Sequence, residues 1–110
     1  MDCIFCKIIA GEIPSNKVYE DDTVLAFRDI EPKAPVHILV VPKKHIPGAA
    51  DVHSEDGEVI GHIFRVIAQV ADQQGLTDFR VVTNNGAGAG QTVPHLHFHI
   101  LAGRQLGEMG

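Results

Sequence analysis

The sequence predicts an α+β fold, an antiparallel sheet of about five strands carrying one long helix and a short N-terminal one. Three observations predict it. Val59, Ile60, Ile63, Phe64, Ile67, Val70 and Ala71 recur at helical spacing, the stripe of an amphipathic helix packed on a core. Several short runs rich in β-branched residues are punctuated by Pro, Gly and Asp, as strands are. No βαβ alternation accompanies them, so the strands pair antiparallel.

Taken in order, Asp2 is placed to cap a short helix bearing Ile4, Phe5, Ile8 and Ile9, and Gly11 to end it. Residues 13–16 are loop. Val18-Tyr19-Glu20, the polar pair Asp21-Asp22 and a run over 23–27 read as a hairpin. Pro32 and Pro35 interrupt the pattern. The run His37-Ile38-Leu39-Val40-Val41 has no polar alternation beyond its first residue, which predicts a central strand buried on both faces. Pro42 and Pro47 bracket Lys43-Lys44-His45 as an ordered loop. The long helix is expected from near Ser54, with Glu55, Asp56 and Glu58 at the positive end of its dipole, to Gly75. A strand over 79–84, a glycine-rich loop over 85–92 and a last strand from His95 to Leu101 complete the chain. All 110 residues are expected to form one domain.

A formal charge of -5 argues against the broad basic face of a nucleic-acid binder. The longest apolar runs are far too short to span a bilayer, and Met1-Asp2-Cys3 does not begin a signal peptide, so a cytoplasmic location with no membrane partner is expected. The two cysteines, Cys3 and Cys6, are spaced C-x-x-C, as in a redox pair or half a metal site. Histidine is the residue out of proportion: there are seven, three of them within five positions.

Alternation along a strand sends Leu96, Phe98 and Ile100 to one face and His95, His97 and His99 to the other. Three readings stand. The histidines are hydrogen-bonded framework; or two of them hold a metal; or one is a nucleophile whose second nitrogen is held as N–H by an acceptor. A rise of about 3.3 Å per residue separates His95 from His99 by roughly 13 Å, too far for one ion to engage all three. Gly86, Gly88, Gly90, Gln91 and Thr92 immediately precede the histidines. Exposed backbone N–H groups and polar side chains there suit a phosphate, which favours attack on phosphorus. The loop is neither a Walker loop nor a dinucleotide fingerprint.

His95-Leu96-His97-Phe98-His99-Ile100-Leu101 resembles the His-φ-His-φ-His-φ-φ signature of the histidine triad (HIT) family. Further blocks resemble its nucleotide-binding Hint branch: Ile4-Phe5-Cys6-Lys7-Ile8-Ile9, Gly11-Glu12-Ile13-Pro14, Ala26-Phe27-Arg28-Asp29-Ile30, Ala34-Pro35-Val36-His37 and Pro42-Lys43-Lys44-His45. The resemblance implies a HIT-like fold, a homodimer sharing one continuous sheet, and hydrolysis of purine nucleoside phosphoramidates through a nucleotidyl-histidine. It implies that His97 is the nucleophile, that His99 lies beside the phosphate and leaving group, and that His37 supports the nucleophile by hydrogen bonding. Asp29 takes the ribose hydroxyls; Asn84, Gly90, Gln91 and Thr92 contact phosphate; Phe5, Ile8, Ile13, Phe27, Ile30 and Leu39 wall the base pocket. Relatives that carry zinc imply a structural Cys₂His₂ site of Cys3, Cys6, His45 and His95, whose loss costs stability around the N-terminus rather than abolishing turnover. Pro94, where an aromatic is common, and a tail without tryptophan are departures that bear on the leaving group. A dinucleoside polyphosphate hydrolase or nucleotidyl transferase, and a non-catalytic nucleotide-binding protein, are the alternatives. His53 and His62 match no motif; His62 is expected at the surface or a dimer face.

Overall fold

A computed structural model describes residues 3–110. Helix α1 (Ile4–Ile9) is followed by strands β1 (Lys17–Glu20), β2 (Val24–Arg28) and β3 (Val36–Pro42), then helix α2 (Gly57–Gln73) and strands β4 (Arg80–Val82) and β5 (Phe98–Ala102). The five strands form one antiparallel sheet in the order β1-β2-β3-β5-β4, so β3 is central.

Alternation on β2 and β3 divides the interior into two layers. Val24, Ala26, Ile38 and Val40 point to one face, where Leu96, Phe98 and Ile100 meet Ile63, Val66, Ile67 and Val70 of α2. Leu25, Phe27, Leu39 and Val41 point to the other, under Cys3, Phe5 and Ile8. This is why the 37–41 run lacks polar alternation: both of its faces are core. Burial of each of the four α2 side chains contributes about 1.5–3 kcal/mol relative to exposure.

Both helices end as the glycines predict. Gly11 and Gly75 adopt φ +80° and +70°. In each case the next amide returns to the helix, Glu12 N–H to the Lys7 carbonyl at 2.9 Å and Leu76 N–H to the Ala71 carbonyl at 2.8 Å. These are Schellman closures, which a left-handed residue permits. The helix starts differ from expectation. Asp2 lies outside the described residues, and the α1 N-cap is Cys3, whose Sγ accepts the Cys6 N–H at 3.3 Å. A 3-10 turn over Ser54–Asp56 precedes α2, because His53 and Asp56 cap one another reciprocally. Asp56 is buried and takes the Lys44 ammonium at 2.6 Å, tying the 43–47 loop to the helix start.

The Asp21 turn is likewise well defined. Its carboxylate accepts the Thr23 and Val24 N–H groups, each at 2.9 Å, the Tyr19 hydroxyl at 2.6 Å, and the His62 imidazole. Burial opposes ionisation there, but those hydrogen bonds outweigh it and hold the carboxyl well below its usual range. His62 therefore clamps α2 to the first hairpin.

The last two strands are shorter than the alternating sequence suggests. β4 spans three residues, and β5 begins at Phe98 rather than His95. The backbone from Val93 to His97 pairs elsewhere: Leu96 N–H goes to the Ile46 carbonyl at 2.6 Å and His95 N–H to the Val93 carbonyl at 2.8 Å. Facial alternation nevertheless continues through this segment. Leu96 faces α2 with Phe98 and Ile100, whereas the His95 and His97 rings pack against Phe5 of the opposite layer.

Candidate active site and metal centre

On the α1 side of the sheet lies a cleft of about 550 Å³. Phe5 and Ile8 of α1, Ile13, Phe27 of β2 and Leu39 of β3 line its apolar part. Ile4, which sequence reasoning did not select, joins them at the helix edge. Ile30 lies at the lip with 94% of its surface exposed, so it bounds the cleft rather than walling it. An apolar slot with a few polar groups fits a flat heterocycle.

Its polar lining includes Asp29, His37, Asn84, Gly90, Thr92, His97 and His99, with Ser15, Arg28, Glu31 and Lys33 also present. The sheet brings three of these groups together. His37 pairs with Leu101 and Leu39 with His99 across β3 and β5, so the His37 and His99 side chains are diagonal neighbours on one face. His37 Nε2 lies 2.8 Å from His99 Nδ1 and 3.4 Å from Asp29 Oδ2.

Backbone partners fix the tautomers. The buried His97 ring turns Nδ1 to the His95 carbonyl at 2.7 Å. A carbonyl only accepts, so Nδ1 carries the proton and Nε2 keeps its lone pair. Phe5 stands edge-on to this ring at 5.0 Å, and the His99 ring lies at 4.9 Å. His37 is the reverse case: its Nδ1 accepts the Lys33 N–H at 3.0 Å, so its proton sits on Nε2 and is directed at His99 Nδ1. The His99 proton is thereby placed on its own Nε2. Burial, reinforced by the charges of His97 and His37, pushes His99 down to about 4. His37 is also lowered by burial, against the partly opposing pull of Asp29. Near neutrality both imidazoles are uncharged donor–acceptor relays.

Two expectations need correction. The hydrogen bond from His37 goes to His99, not to the nucleophile position; His97 is held instead by the His95 main chain. Gln91 does not line the cleft. Its amide nitrogen donates to the Pro47 and Val93 carbonyls at 2.7 and 3.0 Å, and its Oε1 accepts the Gly86 N–H at 2.8 Å. It braces the glycine loop from behind. The loop N–H groups are also largely committed: Ala89, Gly90 and Gln91 donate back to Ala87 or Gly86 carbonyls. Of the loop glycines Gly90 reaches the cleft, at φ +93°, with the Asn84 amide 3.7 Å from where a Cβ would stand. Thr92 also lines the cleft.

Cys3, Cys6, His45 and His95 converge behind α1, their ligand atoms all within 4.8 Å of one another. The individual separations are 3.4 Å from Cys3 Sγ to His95 Nδ1, 3.3 Å from Cys6 Sγ to His45 Nδ1 and 3.1 Å between the two Nδ1 atoms. A tetrahedral ion with bonds of about 2.0–2.3 Å sets its ligands roughly 3.3–3.8 Å apart, so the residues fit. Both thiols are free. His95 Nε2 reaches the Pro42 carbonyl at 2.8 Å, which keeps the proton there and leaves Nδ1 free to ligate, the usual outer-shell arrangement. Burial and the adjacent Cys3 push the Cys6 thiol up, a cost that a bound cation offsets. The four residues therefore form a group able to bind a metal. Asp29, His37 and His99 also cluster, but the Lys33 N–H keeps the proton on His37 Nε2, the atom a metal would need. That cluster fits proton handling, not an ion. Neither the Lys33 amide nor the Pro42 carbonyl has a sequence signal, since any residue supplies them.

Comparison with known proteins agrees with this arrangement. The model of the HIT domain matches residues 10–106. The chain is 51% identical over 106 residues to an uncharacterised HIT-like protein of Synechococcus elongatus, covering 96% of this chain and 93% of that one. It is 46% identical over 110 residues to the purine nucleoside phosphoramidase of Escherichia coli K12, covering 98% and 92%. Among solved structures, a histidine triad protein from Clostridium difficile superposes with a TM-score of 0.95 at 54% identity, over 100% of this chain and 97% of its own. A HIT family hydrolase from Legionella pneumophila gives 0.92 at 47%, over 94% and 95%. Three alternating histidines, two of them lining a cleft on a five-stranded sheet and the first turned to the thiol–histidine group, define a protein of the histidine triad class. This chain belongs to the HIT family.

Proposed function

We propose that the protein is a purine nucleoside phosphoramidase, cleaving the P–N bond of a nucleoside 5′-phosphoramidate to release the nucleoside monophosphate. The observation that carries the reading is the His97 tautomer: a buried imidazole with Nδ1–H given to a main-chain carbonyl and Nε2 free, in the lining of an apolar slot. The 46% identity to the Escherichia coli phosphoramidase supports the substrate class.

The purine lies between Phe5, Ile8, Phe27 and Leu39, and Asp29 accepts from the ribose hydroxyls. Asn84, the Gly90 segment and Thr92 hold the α-phosphate. His97 Nε2 attacks phosphorus and forms a P–N bond as the bond to the amine breaks. His99 Nε2–H donates a hydrogen bond to the phosphoryl group and the departing nitrogen, and that nitrogen takes up one proton from solvent as it leaves. Water then attacks phosphorus, His97 leaves as neutral imidazole, and one proton returns to solvent. His37, with Asp29 at its Nε2, holds His99 in the donor tautomer.

Cys3, Cys6, His45 and His95 are the residues that would hold zinc; with four protein ligands the ion has no open position and supplies structure rather than Lewis-acid chemistry. Reduced thiols suit a cytoplasmic protein, and no helix among the described residues is long and apolar enough to cross a membrane. The half-exposed Phe64 and Phe79, with the short edge strand β4, support a homodimer. Each protomer would be a single HIT domain.

The test compares turnover of an adenosine phosphoramidate and a dinucleoside polyphosphate by the wild-type protein. The reading expects kcat/KM to favour the phosphoramidate by orders of magnitude. Equal or reversed preference moves the protein to the polyphosphate hydrolases, and AMP binding without turnover of either leaves a binding protein.

A further inference from the structure

We propose that the Cys3, Cys6, His45 and His95 group positions the active site, coupling a bound divalent ion to nucleotide affinity through the His95 carbonyl and the Phe5 wall. The inference rests on the nucleotide-cleft reading above and extends it to a site otherwise taken as remote reinforcement.

His95 is pinned three ways. Its fully buried ring offers Nδ1 to the two thiols and His45, while Nε2 is held by the Pro42 carbonyl of β3. Its main-chain carbonyl is the acceptor, at 2.7 Å, that fixes the His97 tautomer and ring. A shift of the His95 ring turns its peptide and alters the bond orienting His97. Among the described residues no other hydrogen bond holds a His97 ring nitrogen.

The second arm runs through α1. Its six residues are too few to be helical alone, and its N-cap is a thiol, a weak acceptor compared with a hydroxyl or carboxylate. Cys3 and Cys6 flank Phe5 in sequence, and the Phe5 ring meets Phe27 at 5.6 Å, His95 at 5.9 Å and His97 at 5.0 Å, each edge-on. An ion joining the thiols to His45 and His95 ties this short helix to the histidine segment. Phe5 and Ile8 are thereby held in the cleft wall. Metal loss is then expected to weaken nucleotide binding and turnover without removing the nucleophile.

Coupling of this kind is reciprocal: if the ion tightens nucleotide binding, nucleotide tightens ion binding by the same factor. Zn²⁺ affinity is measured by competition with a chromogenic chelator, with and without saturating AMP, alongside the AMP Kd of the zinc-loaded and zinc-free protein. The expected result is a rise in zinc affinity of roughly tenfold with AMP, matched by a similar fall in the AMP Kd on loading. If zinc-free protein does not stay folded, Co²⁺ replaces Zn²⁺, and the visible bands of its thiolate ligation should shift when AMP is added. Chelator competition unchanged by AMP, Co²⁺ bands unmoved by AMP, or no zinc binding at micromolar metal would each overturn the proposal. Failure of the hydrolase reading looks different: AMP and zinc remain coupled while no phosphoramidate is turned over.

Discussion

Single atoms decide what each histidine does. The His97 and His37 rings line the same cleft, yet one turns Nδ1 to a carbonyl and the other to an N–H. That difference makes the first a base at Nε2 and the second a donor at Nε2. A pH dependence belongs to this scale. His37 and His99 have folded values below the ordinary 6.5, His99 at about 4, so the unfolded chain binds more protons than the native protein once pH falls below about 6.5. Stability is full above that value and is lost as pH drops toward 4. The melting temperature should therefore decline between pH 6.5 and 4.5, with a smaller decline in His99→Gln. A melting temperature constant over that range would contradict the burial assigned to these rings. That three histidines gather on one face is legible in the sequence, because alternation places them there whatever the detail. Their tautomers are not. They depend on the Lys33 amide and the His95 and Pro42 carbonyls, brought into place by loop geometry rather than by residue type.

At the scale of elements, the glycine loop acts as a braced turn more than as an open cradle. Gln91 supplies the brace, joining Gly86 to Pro47 and Val93 across the segment before the histidines. Gln91→Ala removes three hydrogen bonds and turns the exposed Gly86 N–H to water. The expected cost is about 0.5–1.5 kcal/mol in stability. AMP should bind less tightly, since Gly90 and Thr92 then lose their fixed placement, while adenosine binding changes little. Calorimetric titration of both ligands checks this; equal weakening of both would mean that the loop does not act on phosphate. The helices and the central strand are legible from sequence, through the 3.6-residue apolar stripe, Gly11, Gly75 and the unalternated 37–41 run. The strand ends are less so. Residues 93–97 have strand-like composition, but Ile46 takes the Leu96 amide, a pairing between segments 50 residues apart in sequence that no local pattern records. Cys3 likewise replaces a polar cap because its thiol also faces His95, 92 positions away.

For the molecule as a whole, the sheet separates duties between its faces. One face is closed by α2 and gives stability; the other carries the histidine-lined cleft and, behind the same short helix, the thiol–histidine group. The cleft opens where β3 and β5 run side by side, so one pair of adjacent strands supplies His37, Leu39 and His99. His97 continues the line into the loop. The central claim is that His97 becomes covalently nucleotidylated. The most direct test is to mix the wild-type protein and His97→Ala with an adenosine phosphoramidate, quench within the first turnover and weigh the protein by mass spectrometry. The wild type should carry one adenylyl group, released as AMP on further incubation. The variant should carry none and lose several orders of magnitude in turnover. An adenylyl group on His97→Ala, or turnover by that variant at the wild-type rate, would contradict the account.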